Sequence, residues 1–264
     1  MLTPEAYVLA SQERIYVTGS IMHDLTQRQI EILKNLIEEY IETASAVGSE
    51  TLEKKHNLSA SPATIRNEMV RLTDLGYLKK SHASAGRIPT AIGMKFYVNQ
   101  LMKEKELSVA EEVAVKEKVW DHRDRVERFM RELTKSLAER TKALAVVTTE
   151  TGDLYAAGYS NILDMPEFYD IDLTKSLLEI TDEVEYFNKL VENISDSEVH
   201  VFLGEELGPR LQGPYGFVFR HYETPQHHLA GEIGVLGSTR LNYTAIVPMV
   251  RYFGNLIEEV AHGW

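Results

Sequence analysis

The first third of the chain carries apolar residues at helical spacing. In residues 25–44 they recur every three or four positions, which predicts an amphipathic helix; the stripe consists of Ile30, Leu33, Ile37 and Ile41. Residues 48–58 predict a second, short helix, with Ser49 as its cap and Leu52 facing inward. Because only Ser59 and Ala60 separate it from the next helical pattern, these residues predict a helix-turn-helix unit.

The third helix starts at Ser61, which can cap the first turn, and Pro62 suits the first helical position because that position needs no N–H donor. Gly76 is a natural stop. The apolar face is formed by Ile65, Met69, Leu72 and Leu75. The opposite face carries Thr64, Arg66, Asn67 and Arg71. The pattern therefore predicts one face that is buried and one that is polar.

A short basic hairpin follows. Residues 77–80 predict a strand, residues 81–86 a turn-rich tip, and residues 87–90 the return. Gly86 permits backbone angles that other residues resist. The side chains around the tip that can donate to phosphates are Lys79, Lys80, His82 and Arg87. A hairpin in this position is typical of the wing of a winged helix, although an ordinary surface hairpin is the alternative.

Residues 107–144 are rich in charge and predict a helix with an apolar stripe. The stripe consists of Val119, Val126, Met130, Leu133 and Leu137. Such a helix can pack on its twin across a dimer axis, or it can pack on its own domain. The sequence leaves both alternatives open.

The last part of the chain mixes strands and helices. Strands are predicted over residues 143–149, 199–204 and 231–236, and helices over residues 173–180, 184–193 and 244–261. The buried face of the last helix is predicted to consist of Ile246, Met249, Val250, Phe253, Ile257 and Val260. The fold class is therefore predicted to be α+β, with a winged helix-turn-helix followed by a domain with an antiparallel sheet.

Composition excludes several classes. The 264 residues suggest two domains. No apolar run approaches the roughly 20 residues that span a bilayer, and residues 1–20 lack the basic start of a signal peptide. The chain has no cysteine, so it has neither disulfides nor Cys-ligated zinc. We therefore expect a cytoplasmic protein without a membrane partner.

The net charge of −12 is unevenly distributed. Residues 25–103 hold 11 Lys and Arg against 8 Asp and Glu, a net +3, whereas residues 104–264 hold 16 against 29, a net −13. Because phosphate binding depends on local cations, the basic surplus on the helix-turn-helix region favours DNA binding. Arg66, Asn67 and Arg71 can read base edges in the major groove. A solvated surface helix is the alternative for that helix alone.

An enzyme or metal site is a weaker hypothesis. His221, His227 and His228 lie close together in sequence, with Glu223 and Glu232 nearby. Neither a helical two-histidine spacing nor a cysteine partner is present, and Pro225 favours a polar loop. No nucleophile elbow or kinase signature occurs. We expect no enzymatic activity, no cofactor and no metal.

Several blocks resemble the HrcA family of heat-inducible transcription repressors. SPATIRNEM, LGYL, SAGRIPT and GMKFYVNQLM are similar to its N-terminal module. Residues 155–168 (YAAGYSNILDMPEF) and 231–243 (GEIGVLGSTRLNY) are similar to segments of its C-terminal part. The second of these has Ser238 where the family commonly has proline.

The resemblance implies a dimeric repressor that binds an inverted-repeat operator ahead of chaperone operons, in a stress response to heat shock. It implies a GAF-like C-terminal domain with an inserted dimerising domain, and a chaperonin that keeps the repressor active. It carries a DNA-binding role onto Ser61, Thr64, Arg66, Asn67, Arg71, Ser84, Gly86, Arg87 and Thr90.

This chain is shorter than the family pattern. Residues 143–149 pass almost directly to Tyr155, where the family normally has a long stretch that includes the insert. We therefore expect four parts: an extension of uncertain status (1–24, with Met22 as an alternative start), a winged helix (25–103), a linker helix (104–142) and a shortened GAF-like domain (143–264).

The predicted function is a sequence-specific, dimeric DNA-binding repressor of heat-shock operons. The alternatives are a winged-helix regulator whose C-terminal domain senses a small ligand, and a truncated remnant that binds protein but no longer represses.

Overall fold

Three helices open the computed structural model, which describes residues 25–261 apart from residues 57, 59, 82–85, 124, 195 and 225–228. They are α1 (Gln27–Thr43), α2 (Ser49–His56) and α3 (Pro62–Asp74). Thr26 and Gln29 form a capping box at the start of α1. Ser49, which we expected as the cap of α2, is instead its first helical residue and is buried.

The hairpin follows α3. Its strands are β1 (Leu78–Lys80) and β2 (Arg87–Pro89), which pair antiparallel with Lys80 opposite Arg87. A further bridge joins Arg87 to Val47, so the second strand of the hairpin is fixed to the chain between α1 and α2. A short helix, α4 (Ala91–Phe96), then continues as a π-helical turn over Tyr97–Leu101.

The prediction of a single linker helix over residues 104–142 is wrong. The stretch forms two helices, α5 (Val109–Trp120) and α6 (Val126–Thr141), which pack on each other. A straight helix of 39 residues would extend about 58 Å, much farther than one small sheet. Folding back lets both helices pack on the domain. Val119, Met130, Leu133 and Leu137 are completely buried within this chain, whereas Val126, the remaining residue of the predicted stripe, is 37% exposed because it begins α6. Of the two alternatives for the stripe, the structure shows packing on its own domain.

A five-stranded antiparallel sheet forms the centre of the second domain. Its strands are β3 (Leu144–Thr148), β4 (Leu154–Ala157), β5 (Val199–Leu203), β6 (Tyr215–Thr224) and β7 (Leu229–Ser238), in the order β4-β3-β7-β6-β5. The predicted strands correspond to β3, β5 and β7. The pattern missed β4 and β6. The pattern did not predict β6 because most of its residues are buried on both faces of the sheet. The alternation of apolar and polar residues that marks a half-exposed strand is therefore absent.

The connection between β3 and β4 is a tight hairpin. The Thr149 amide donates to the Asp153 carbonyl at 2.9 Å, and the Gly152 amide donates to the Thr149 carbonyl at 3.0 Å. The two strands pair from Ala145 opposite Ala157 to Thr148 opposite Leu154. The short β3–β4 connection therefore leaves the sheet continuous. This is the place where the family that the sequence resembles normally has a longer stretch.

Helices cover both faces of the sheet. One face packs on α6 and on α10 (Tyr243–Ala261), whose predicted buried positions are buried except for the half-buried Met249. The other face packs on α7 (Tyr159–Leu163), α8 (Ile171–Glu179) and α9 (Val184–Val191). The apolar residues of the winged helix belong to the same core cluster as the first face. The two domains are therefore joined by a shared core.

Candidate nucleic-acid interface

The recognition helix of the unit is α3, and its start is built by local hydrogen bonds. Ser61 is the N-cap, and its hydroxyl oxygen accepts from the Thr64 amide at 3.2 Å. The Thr64 hydroxyl lies 3.0 Å from the Ser61 hydroxyl. Both side chains therefore stabilise the first turn, which is where a helix in the major groove approaches the DNA.

The two faces of α3 differ as the sequence predicted. Ile65, Met69 and Leu72 are buried in the core that includes α1 and α2. The opposite face is exposed and consists of Ala63, Arg66, Asn67, Val70, Arg71 and Asp74. Burial of the apolar face fixes the helix, and the polar face remains open to a ligand.

Arg66 and Asn67 are the best-placed side chains for reading bases. Both are exposed, and within the described part of the chain neither has an ion pair or a side-chain hydrogen bond. A guanidinium can donate two bonds to guanine, and an amide can make two bonds to adenine. Their donors and acceptors are therefore available to an edge of a base pair.

Arg71 is also exposed, with 66% of its side chain accessible, but it has an internal partner. Its Nη1 donates to Glu68 Oε1 at 3.0 Å, and Glu68 Oε2 accepts from Gln29 Nε2 at 3.0 Å. Because Glu68 is nearly buried, this chain of bonds ties α3 to the start of α1. Arg71 thus has a structural contact in addition to any contact with DNA.

Sequence reasoning missed Val70 and Lys54. Val70 is 41% exposed on the same face as Asn67, three positions further along, and its methyl groups are suited to the methyl group of thymine. Helical spacing from Asn67 would have identified it. Lys54 on α2 has 73% of its side chain exposed, with Glu50 at 3.9 Å, and can reach a phosphate. Its neighbour Lys55 is engaged by Glu39 at 2.6 Å, a hydrogen bond that raises the pKa of Lys55.

The wing presents two lysines. Lys79 and Lys80 are both exposed on β1. They lie next to each other on a strand, so they point to opposite faces of the hairpin. One can follow a DNA backbone beside α3 while the other extends toward the far side of the wing. His82 and Ser84 lie outside the described residues.

The role expected for Gly86 has a different physical cause. A Cβ at this position would lie 2.9 Å from the carbonyl carbon of Ala46 and 3.0 Å from the carbonyl oxygen of Val47. Glycine is needed here because two backbones approach closely, which lets the wing pair with residue 47.

Arg87 and Thr90 are tied to the protein rather than extended from it. Arg87 Nε donates to the Thr73 hydroxyl of α3 at 3.0 Å. The Thr90 hydroxyl donates to the carbonyl of Gly76 at 2.6 Å, and it accepts from the Gly93 amide as the N-cap of α4. Both residues therefore hold the wing against α3, and Arg87, which lies opposite Lys80, is at the end of the strands nearest the tip, as the sequence predicted.

The histidine cluster does not assemble as a metal site in the part of the chain that the structure describes. No group of three side chains from His, Asp and Glu converges there in a way that could hold a metal ion. His221 Nδ1 lies 3.2 Å from Glu232 Oε1, and Glu232 also accepts from the Thr148 hydroxyl at 2.6 Å. His227 and His228 lie outside the described residues.

Among the described helices, none has the length and apolar character needed to cross a bilayer.

Comparison with known proteins agrees with this geometry. Residues 24–105 match the model of the winged helix-turn-helix DNA-binding domain of HrcA transcription repressors, and residues 88–247 match the model of the HrcA C-terminal domain. The heat-inducible transcription repressor HrcA of Clostridioides difficile is 40% identical over 128 residues, which is 48% of this chain and 38% of that protein.

A second relative aligns over nearly its whole length. The heat-inducible transcription repressor HrcA of Thermomicrobium roseum is 26% identical over 332 positions, covering 89% of this chain and 95% of that protein. Since this chain has 264 residues, the relative contains residues that this chain lacks. A crystal structure described as that of a hypothetical protein superposes with a TM-score of 0.72 at 18% identity, over 91% of this chain and 99% of the other, and so shares the fold. Together with the two matched domain models, these findings show that the chain belongs to the HrcA family.

Proposed function

We propose that this protein is a sequence-specific DNA-binding transcription repressor whose α3 enters the major groove. The observation that carries the proposal is the exposed face of α3, where Arg66 and Asn67 have no side-chain partner within the described residues. The helix is anchored by its opposite face, where Ile65, Met69 and Leu72 are buried and Leu75 is half-buried. Phosphate contacts from Lys54, Lys79 and Lys80 set the register, and the base edges provide specificity. We propose a cytoplasmic location, because a repressor must have access to the DNA that it binds.

The protein acts as a homodimer on an inverted repeat. A two-fold dimer of helix-turn-helix units places its recognition helices about one turn of DNA apart, so that the operator mirrors the symmetry of the protein. The relatives named as heat-inducible repressors support heat-shock operons as the targets. The chaperonin is the co-regulator that the family resemblance implies. Chaperonin should then raise operator occupancy by the purified repressor.

The small-ligand sensor has less support. A sensor domain needs a cavity beside its sheet. Here the space between the sheet and α7–α9 is filled by buried aromatic rings, including Phe168, Phe187, Phe217 and Phe219. The rings of Phe217 and Phe219 stack at 4.6 Å, and Phe187 meets Phe217 edge-on at 5.7 Å. A metabolite would have to displace packed side chains to enter this layer.

The test is selection of bound DNA from a random pool by the purified protein, in parallel with the double variant Arg66→Ala, Asn67→Ala and with Arg210→Ala as a distant surface control. We expect an enriched inverted repeat with the parent protein and the control, and loss of enrichment with the double variant. Enrichment of a single half-site would reject the dimer. Unchanged enrichment with the double variant would reject the assignment of α3 as the reading element.

A further inference from the structure

The C-terminal domain holds the winged helix through a buried arginine. Arg240 lies just after β7, and only 10% of its side chain is exposed. Its Nη2 donates to Glu167 Oε2 at 2.9 Å, and its Nε donates to Glu167 Oε1. Its Nη1 donates to the backbone carbonyl of Ile41 at 2.9 Å. One guanidinium therefore binds its own domain with one side and α1 of the winged helix with the other.

The contact to Ile41 occurs at a favourable place on α1. Ile41 lies in the last turn of the helix, where the carbonyl oxygens have no partner within the helix. The C-terminal end of a helix carries partial negative charge, so a cation bonded there is stabilised. Tyr40 and Ile41 also pack against the core cluster that contains Leu241 and Tyr243 of the C-terminal domain. A charged bond and an apolar contact thus fix the same end of α1.

The position of α1 is transmitted to the recognition helix. The other end of α1 carries Gln29, which donates to Glu68 of α3 at 3.0 Å, as described above. The 17 residues of α1 span about 25 Å. A change in angle at Ile41 would therefore move α3 relative to the C-terminal domain.

Among the described residues, the ion pairs of Lys95 with Glu206 and of Arg251 with Glu104 also connect the winged helix, or the segment just after it, to the C-terminal domain, and both are more exposed. Lys95 lies 3.0 Å from Glu206, whose side chain is 46% exposed. Arg251 Nη2 donates to Glu104 Oε1 at 3.0 Å, and both side chains are about one-third exposed. Exposed pairs contribute little because water screens them and side-chain freedom is lost. Glu167, the partner of Arg240, is only 14% exposed.

We propose that Arg240 is a positioning residue that fixes the angle of the winged helix on the C-terminal domain, and that it thereby determines which spacing between operator half-sites the protein accepts. This inference rests on the proposed function, since a spacing preference requires a dimer on an inverted repeat. Adding one base pair between half-sites moves them about 3.4 Å apart and rotates them by about 34°. A rigidly held winged helix cannot follow that change, whereas a loosely held one can.

The experiment measures binding to a set of inverted repeats whose half-sites are separated by the selected spacing or by one or two base pairs more or fewer. It compares the parent protein with Arg240→Gln, Arg240→Lys and Arg210→Gln. The last is a matched control, because Arg210 makes a two-pronged bond to Glu183 on the surface of the C-terminal domain, away from the winged helix. Affinity for a single half-site and thermal melting are measured for every variant.

We expect the parent protein to prefer one spacing by at least about tenfold, and Arg240→Gln to reduce that ratio to roughly two- or threefold while half-site affinity changes little. Arg240→Lys should give an intermediate ratio, because an ammonium keeps its attraction to Glu167 but cannot reproduce the planar fork. Arg210→Gln should retain the parent profile.

The outcomes separate the two proposals. If the parent protein shows no spacing preference, the proposed dimeric function fails. If the parent protein shows a preference and a folded Arg240→Gln variant keeps the same profile, the role of Arg240 is overturned. A fall in half-site affinity and melting temperature in the Arg240 variants, without a change in the shape of the profile, would identify a purely structural role and would also overturn the inference.

Discussion

Arg66 on α3 and four arginines of the C-terminal domain are used in opposite ways. On α3, Arg66 is exposed and has no ion pair among the described residues. In the C-terminal domain the guanidinium groups of Arg210, Arg220, Arg240 and Arg251 all donate to carboxylates. Arg220 is the extreme case: it is only 3% exposed, and it donates to Glu258, Asn255 and the carbonyl of Arg251.

The difference explains how a chain with a net charge of −12 can bind a polyanion. Four arginines of the acidic domain are bonded to its own carboxylates. Arg66, Lys79 and Lys80 of the winged helix are exposed and have no ion pair among the described residues, whereas Lys55 and Arg71 are paired with Glu39 and Glu68. Since ionic interactions in water fall off within about 10 Å, phosphates respond to the surface nearest to them. Local pairing, not total charge, distinguishes a DNA-binding surface from the rest of this molecule.

The largest effect expected from this comparison is on stability. Arg220→Ala should lower the free energy of unfolding by about 3 kcal/mol, because it removes buried hydrogen bonds and leaves a gap beneath α10. Gly254 leaves room for this side chain, since a Cβ there would lie 2.8 Å from the Arg220 Cδ. Denaturant unfolding measures the loss.

Arg210→Ala is the control for Arg220→Ala and should leave the free energy of unfolding nearly unchanged, since its pair with Glu183 is exposed and screened by water. Half-site affinity of the folded protein should be unchanged in both variants. A loss below 1 kcal/mol for Arg220→Ala would show that burial of its guanidinium does not stabilise the domain.

The fold of the winged helix was largely predictable, because its helices are amphipathic and its caps are local. Ser61, Pro62 and Gly76 mark the ends of α3 in the sequence as they do in the structure. The C-terminal domain was less predictable. The sequence of β6 carries no alternation, and the break between α5 and α6 depends on a sheet whose strands lie far apart in the chain.

The second-largest expected effect is on the DNA sequence specificity of binding. Arg66→Ala or Asn67→Ala should reduce affinity for the selected operator by about 1–3 kcal/mol and relax the preference at one base pair, with melting temperature nearly unchanged. Quantitative binding to the operator and to single-base variants tests this. Equal losses on the operator and on random DNA would contradict a base-reading role.

The third effect is smaller and does not depend on sequence. Lys79→Ala should weaken binding to operator and random DNA alike, by on the order of 0.5–1 kcal/mol, and should make the salt dependence shallower by about one released ion. Titrations at several salt concentrations measure both quantities. Lys175→Ala is the matched control on the acidic domain, where Lys175 is exposed near Glu179, and it should leave binding unchanged. A change in specificity with Lys79→Ala would reassign it to the bases.

The sequence predicted which face of α3 is exposed, but not the contacts that each candidate residue makes. Arg66 and Asn67 are open to a ligand, as their helical positions predict. In contrast, Thr90 donates to a backbone carbonyl and caps a helix, and Gly86 allows a close approach to residues 46 and 47. These contacts link positions that are distant in sequence, so no local pattern reveals them. The DNA-binding roles of Thr90 and Gly86 remain predictions.

The smallest expected effect is on stability, and it concerns the imidazole of His221 in the C-terminal domain, which is a cation only when it is protonated. The hydrogen bond that the His221 imidazole donates to Glu232, together with the negative charges of Glu232, Glu223 and Glu150, raises the pKa of His221 despite its partial burial. A raised pKa in the folded state means that the pair stabilises the protein fully below the unfolded pKa of about 6.5. That contribution is lost as the pH rises through the higher folded value.

His221→Gln should therefore destabilise the protein at pH 5.5 by roughly 1 kcal/mol or less, and the difference from the parent protein should shrink by pH 9. Unfolding titrations across this range measure the difference. The matched control is His200→Gln, since His200 lies 2.8 Å from Asp196, which is more exposed than Glu232. A gap between parent and His221→Gln that widens with rising pH would mean that the imidazole is held neutral in the fold, and His221 would then not belong with the paired cations of the acidic domain.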